Sequence, residues 1–169
     1  MWTPSMPGRR IVPHASASAA QRSFGHAWIA LGLALAVHVA DEAAHDFLAL
    51  YNPNALAIQE RLGGFPFPPT FSFTAWLTGL TLVVAAWLAL TPLAYRGRRW
   101  LLPLATILSV VHVANGLGHV ITSLWLGRAA PGVWSAPLLV ASAIWMLTVV
   151  QRVRRSPSPP PPNIAVRAT

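Results

Sequence analysis

The chain has 169 residues, of which 54% are apolar and only 9% are charged, and its mean hydropathy is +0.52. An ordinary soluble domain carries about 25% charged residues. This composition cannot cover a water-facing surface with charge, which excludes most soluble enzymes. The chain also lacks cysteine, which excludes disulfides, zinc ribbons, iron–sulfur clusters and thiol nucleophiles.

Four apolar segments are each long enough to cross a bilayer, which takes roughly 20 residues of helix. Helix is the expected state, because backbone groups in lipid must pair within their own segment and no alternating pattern indicates a barrel. The fold class expected is therefore all-α, a polytopic membrane four-helix bundle, with the membrane domain over residues 27–151. The four segments are 27–51, 73–95, 100–126 and 132–150.

The arginines indicate an orientation for this bundle. Only Arg61 and Arg128 lie between the first and second segments or between the third and fourth. The positive-inside rule therefore predicts a multi-pass protein of the cytoplasmic membrane with both termini in the cytoplasm. The bilayer itself is the expected partner of this basic surface, and nucleic acid is not, because no basic stretch is interleaved with stacking aromatics. The other ten arginines are Arg9, Arg10, Arg22, Arg96, Arg98, Arg99, Arg152, Arg154, Arg155 and Arg167.

The tryptophans and the two ends of the chain fit this arrangement. Residues 1–26 predict a flexible basic arm, and residues 152–169 predict a basic, Pro-rich tail whose SPSPPPP run favours an extended conformation. A signal peptide is the competing interpretation of the N-terminal region, but the apolar stretch that continues to Leu50 favours a retained span. Tryptophans expected at the headgroup level are Trp28, Trp76, Trp100, Trp125 and Trp134.

The first segment contains an unusual cluster of polar residues in the sequence AVHVADEAAHDF. Three of the chain's four acids are here, and each costs about 2.5–3.5 kcal/mol at the centre of a spanning helix. Four members share one helical face at spacings i, i+3, i+4 and i+7, and Glu42 with His45 forms the E-x-x-H pair used by two-metal bundles. The cluster comprises His38, Asp41, Glu42, His45 and Asp46.

The third segment carries a second polar face. His112, Asn115 and His119 stand at i, i+3 and i+7, and Ser123 continues the same face. Counted from the start of each segment, His38 and His112 lie at similar depth near the bilayer midplane. We therefore expect the two faces to meet with His38 level with His112.

Imidazole and carboxylate groups without sulfur are typical ligands of Zn, Fe or Mn. We expect His45, His112 and His119 to be metal ligands, with Glu42 and His38 as further ligands. The expected catalytic groups are Glu42, His38 and Asp41. Asn115, Asp46 and Ser123 would support the site. Only four histidines lie in the segments, which favours one metal ion per chain, or two at most.

These residues give the chain a family resemblance. The run His38-Val39-Ala40-Asp41-Glu42 resembles the motif of the HXXEE domain proteins, small multi-span membrane proteins, with Asp in place of the first Glu. Asn115 with His119, followed by Arg128 and Pro131-Gly132, is a second likeness, and the whole resemblance covers roughly residues 38–150. It implies a membrane protein with metal-dependent chemistry and implies no particular substrate.

Two functions of different classes follow. The first is a metal-dependent membrane enzyme acting on a lipid-like or amphiphilic molecule, with hydrolysis, isomerisation and oxidation all open. The alternative is a non-catalytic proton or ion relay or transport protein, which with four spans predicts a homo-oligomer. A purely structural helper ranks last, because it leaves the costly intramembrane carboxylates unexplained.

Overall fold

A computed structural model describes residues 15–155 of the chain and the side chains from Ala19 onward. The predicted tail beyond Arg155 and the first 14 residues of the predicted arm lie outside the described residues, whereas the arm from Ala15 to His26 is helical. The described part contains six helices and no strand: α1 (Ala15–Ala44), α2 (Phe47–Arg61), α3 (Phe73–Ala89), α4 (Thr91–Tyr95), α5 (Leu101–Leu126) and α6 (Ala136–Arg155).

Four helical stretches are long and apolar enough to cross a membrane, as the all-α prediction requires. The second of them joins α3 to the short α4, which follows it directly. The fourth begins at Ala136, because the residues from Pro131 to Ser135 form turns rather than helix. The four stretches are Ala19–Ala44, Phe73–Tyr95, Leu101–Leu126 and Ala136–Arg155.

The first span differs from the continuous helix expected over residues 27–51. Helix α1 ends at Ala44, and α2 begins at Phe47. Asp46 between them has a left-handed backbone with φ of 57°, a conformation that cannot continue a right-handed helix and that Asp tolerates better than most residues. His45 and Asp46 are both exposed at this break. The polar cluster therefore lies at the end of the first span, not in its middle.

Helix α2 is an additional element that turns away from the first span. The segment that follows α2 folds back along this helix. Side chains of α2 form hydrogen bonds with the backbone of that segment. Tyr51 and Gln59 donate to the carbonyl oxygens of Pro69 and Pro68 at 3.0 and 2.6 Å, and Asn52 both donates to and accepts from the backbone of Phe71. These bonds hold residues 68–71 against α2.

Helix α6 brings the two polar segments together, since it packs against both α1 and α5. The contact between α5 and α6 is close because Gly116 has no side chain. A Cβ at Gly116 would lie 2.5 Å from Cγ2 of Val140 and 3.2 Å from the carbonyl oxygen of Ala136. Small residues at helix interfaces permit this kind of approach in membranes.

A pair of tryptophans joins α1 to α3. Each indole donates to the other residue's backbone carbonyl, Trp28 to Trp87 at 2.9 Å and Trp87 to Trp28 at 3.0 Å. Trp28 is completely buried and Trp76 nearly so, whereas their expected depth at the headgroup level stays a prediction. Their indoles pack inside the bundle, whereas Trp100, Trp125 and Trp134 are exposed.

Candidate metal centre

Three buried side chains converge between α1 and α5, and we refer to His38, Glu42 and His119 as the buried trio. Nε2 of His119 lies 3.1 Å from Oε1 of Glu42 and 3.2 Å from Nε2 of His38. Nε2 of His38 lies 3.6 Å from the same Glu42 oxygen. All three residues are at most 7% exposed, so their polar atoms face one another instead of lipid or water.

Helix geometry explains why these three meet. His38 and Glu42 are four residues apart and so share one face of α1. His38 lies near the C-terminal end of α1 and His119 near that of α5. The prediction that His38 is level with His112 is wrong by about two turns. The depth of His38 was counted from residue 27, the predicted start of the first span. Helix α1 begins and ends earlier than that prediction, so the count places His38 too far from the end of the span.

A glycine closes the trio on the α6 side. Gly132 has a positive φ of 82°, which glycine adopts without steric cost. A Cβ at this position would lie 2.7 Å from Cε1 of His119 and 3.0 Å from Cε1 of His38. The Gly132 backbone therefore packs directly against both imidazole rings.

Asp41 faces away from the trio toward the first turn of α6. Its Oδ2 accepts hydrogen bonds from the backbone N–H and the hydroxyl of Ser135 at 2.9 and 2.7 Å. The Ser135 hydroxyl oxygen also lies 2.8 Å from Nδ1 of His38. Asp41 thus reaches the trio through Ser135 and contributes no atom to it.

His45 and Asp46, expected as a ligand and a supporting residue, lie at the rim. Nδ1 of His45 is 2.8 Å from Oδ1 of Asp41, and the His45 side chain is 51% exposed. Asp46 makes no capping hydrogen bond with its side chain. Together with Arg128 they line a cavity of about 280 Å³ beside the break between α1 and α2.

His112, also expected as a ligand, is buried apart from the trio. Its Nδ1 bonds to the backbone carbonyl of Leu108, one turn earlier in α5. The edge of its ring contacts Trp87, with the ring centroids 5.8 Å apart. The surroundings of His112 are those of a packed core histidine.

The two supporting residues on α5 have different positions. Nδ2 of Asn115 lies 3.0 Å from Nε2 of His38, so the amide touches the trio directly. Ser123 donates to the carbonyl of His119 at 2.8 Å and accepts from the N–H of Ala130 at 2.9 Å. It ties the end of α5 to the loop that carries Gly132.

Sequence reasoning did not single out Ser135 or assign a role to Gly132. A serine directly before an apolar helical run is a recognisable helix start, and Gly132 follows a proline in a turn-forming pair. Those signals predict local structure only. They do not reveal that the same turn packs against histidines of two other helices.

The trio has the chemistry and the spacing of a metal site. Two imidazole nitrogens and one carboxylate oxygen lie within 4.8 Å of one another. Tetrahedral ligands with bonds of about 2.1 Å are separated by about 3.4 Å, and the observed separations of 3.1, 3.2 and 3.6 Å bracket that value. The three side chains could therefore hold a small divalent cation.

Comparison with known proteins agrees with the motif. The family model described as "Protein of unknown function with HXXEE motif" matches residues 28–146. The comparisons with curated proteins and with solved structures return no match. The matched region includes every member of the trio, both residues of the Asp41–Ser135 pair and most of the four apolar helices, and the chain belongs to the HXXEE family.

Proposed function

We propose that this protein is an intramembrane metal-dependent enzyme that acts on a lipid-like or amphiphilic molecule. The observation that carries the proposal is the mutual spacing of the three buried ligand atoms within a bundle of apolar helices. A bound Zn, Fe or Mn ion would polarise an oxygen or activate water. It would also neutralise the Glu42 carboxylate, whose burial is otherwise costly.

A cavity beside the trio supports the proposed substrate class. It has a volume of about 250 Å³ and lies between the start of α2 and the outer face of α5. Its polar wall consists of Asn115, His119 and Thr122, and its apolar lining consists of Phe47, Leu50, Ala114 and Gly118. Neighbouring positions of α5 expose large apolar side chains, so a molecule dissolved in the bilayer reaches the cavity without crossing water.

Gly118 allows this opening to be tested. A Cβ on Gly118 would meet nothing within 4 Å, so Gly118→Leu fills the cavity while leaving the packing of α5 intact. Gly79 is the matched control, because a Cβ there also meets nothing and its cavity of about 320 Å³ has no wall formed by the trio.

The experiment incubates the metal-loaded full chain in vesicles of total membrane lipid and follows all lipid species by mass spectrometry. We expect one class to change with wild type and Gly79→Leu, and not with Gly118→Leu or Glu42→Gln. Metal content is measured on the same samples. Retained metal with no change in any lipid would contradict the enzymatic proposal and leave metal binding standing.

A proton relay is the second candidate, and one observation favours it. Short hydrogen bonds lead without a gap from exposed His45 through Asp41 and Ser135 to buried His38. This function predicts proton flux across vesicle membranes that Ser135→Ala abolishes. The enzyme predicts no flux above that of protein-free vesicles.

A further inference from the structure

The two adjacent acids of the motif point to different neighbours. Glu42 faces the buried trio, whereas both carboxylate oxygens of Asp41 are occupied by donors outside it. From this geometry we infer that Asp41 is a positioning residue that acts through the Ser135 hydroxyl. It sets His38 in the tautomer with its proton on Nδ1, which leaves Nε2, the nitrogen that His38 contributes to the trio, without a proton.

The Ser135 hydroxyl has one proton and three neighbours. It lies 2.7 Å from Asp41 Oδ2, 2.8 Å from His38 Nδ1 and 3.1 Å from the carbonyl oxygen of Gly132. A carboxylate is the stronger acceptor and is also the nearer one, so the hydroxyl proton belongs on the bond to Asp41. The hydroxyl oxygen is then free to accept, and the His38 Nδ1–H is the donor that faces it.

Asn115 specifies the same tautomer from the other side of the ring. Its amide nitrogen, 3.0 Å from His38 Nε2, can only donate. That bond requires a lone pair on Nε2, which is the tautomer that the Ser135 bond also requires. Two contacts from different helices, α5 and the start of α6, therefore agree on where the His38 proton lies.

Asp41 is itself held in place. Its side chain is 9% exposed, and besides the two Ser135 bonds its Oδ1 lies 2.8 Å from Nδ1 of His45, which is also 2.8 Å from the backbone carbonyl oxygen of Asp41. The carboxylate also lies at the start of α6, where the helix dipole favours a negative charge. Turning Asp41 toward the trio would break both hydrogen bonds from Ser135 and separate its carboxylate from His45, so the carboxylate serves as a fixed acceptor.

The inference concerns the site of the proposed function, but its test requires neither metal nor turnover. The full chain is labelled with ¹⁵N-histidine, placed in nanodiscs without metal at mildly alkaline pH, and studied by NMR. The ¹⁵N shifts distinguish a protonated ring nitrogen from one with a lone pair, and His38→Gln assigns the His38 signals. We expect wild-type His38 to carry its proton on Nδ1 alone.

Three variants test the role of the hydroxyl. Ser135→Ala should give His38 a substantial population protonated on Nε2, and Ser135→Thr, which keeps a hydroxyl, should restore the wild-type spectrum. Ser109→Ala is the matched control, since it removes a buried hydroxyl bonded to the backbone carbonyl of Ala105, away from the trio, and it should leave the His38 signals unchanged. Asp41→Asn should resemble Ser135→Ala and replaces that variant if it fails to fold.

A wild-type His38 protonated on Nε2, or a Ser135→Ala spectrum identical to wild type, would overturn the inference. A parallel zinc titration keeps the two proposals separate. Loss of a histidine's outer-sphere partner lowers metal affinity about 10- to 100-fold, so Ser135→Ala should bind zinc more weakly by that factor. If wild type binds no zinc but shows the expected tautomer, the metal proposal fails and the positioning role stands.

Discussion

Helix α5 carries two buried histidines on the same face, about two turns apart, and their surroundings differ completely. His112 and His119 are equally exposed, at 7% each. His112 bonds to its own helix and touches an indole, whereas His119 faces a carboxylate and a second imidazole from α1. The comparison teaches that burial and helical spacing do not define a site; the groups contributed by neighbouring helices do.

The same contrast distinguishes two regions of the bundle, one around the tryptophan pair and one around the trio. Around Trp28 and Trp87 the helices meet through indoles and apolar side chains. Around the trio they meet through polar groups, and no buried side-chain nitrogen or oxygen in the described part of the chain lacks a hydrogen-bond partner. The tryptophan region therefore packs the helices together, whereas the trio region could hold a metal ion.

The largest expected effect is the change in thermal stability when a metal ion binds to the trio. A ligand that binds only the folded state stabilises it by about 2.7 kcal/mol at 100 times its Kd. Zinc should therefore raise the Tm of wild type, and Glu42→Gln should remove that shift by deleting the only carboxylate of the trio. The measurement is thermal unfolding in detergent with and without zinc. A wild-type Tm that zinc does not change would contradict it.

The next effect concerns the close contact between the Gly132 backbone and the rings of His38 and His119. Gly132→Ala faces two costs, the left-handed backbone, about 1–2 kcal/mol for a non-glycine residue, and the clash with the His119 ring. Gly127→Ala is the control, because Gly127 also has positive φ, 62°, but a Cβ there meets nothing within 4 Å. We expect Gly132→Ala to lose more stability than Gly127→Ala and to weaken zinc binding. Equal losses would show that the ring contact is unimportant.

A substitution in the tryptophan pair should lower stability without changing zinc affinity. Trp87→Phe removes one interhelical hydrogen bond, worth about 0.6 kcal/mol and at most about 1.7 kcal/mol in membrane proteins, together with part of a buried ring. We expect a lower Tm without zinc and an unchanged Kd for zinc, both from the same titration. A weaker zinc affinity in this variant would show that packing around the tryptophan pair affects the trio.

The smallest effect separates two neighbouring glycines of α5. Gly116→Ala places a methyl group against Val140 and should destabilise the contact between α5 and α6, whereas Gly118→Ala adds a methyl group to open space. We expect a measurable fall in Tm for the first variant and almost none for the second. Equal Tm values would mean that α6 shifts to accommodate the methyl group.

Much of this arrangement is predictable from the sequence. Segment hydropathy identifies the four apolar helices, and the cost of intramembrane carboxylates makes Glu42 a candidate site residue. The end of α1 is not predictable from hydropathy, since apolar residues resume directly after Asp46 and the break depends on one left-handed residue. Because α1 ends earlier than predicted, His45 lies outside the expected site. For the same reason, His38 contacts His119 and not His112.

Ser135 and Gly132 show a second limit. Their roles arise from contacts of nearly 100 residues' separation along the chain, such as that between His38 and Ser135. Helical periodicity reports only which residues share a face of one helix. It carries no information about the loop that closes the site from above.

We propose that His38, Glu42 and His119 together hold one divalent cation. The most direct measurement is the metal content of the purified full chain after exposure to Zn, Fe and Mn, for wild type, His119→Ala and His112→Ala. The account predicts about one ion per chain in wild type and His112→Ala, and none in His119→Ala. Equal loss of metal in both variants, or retention in both, would contradict it.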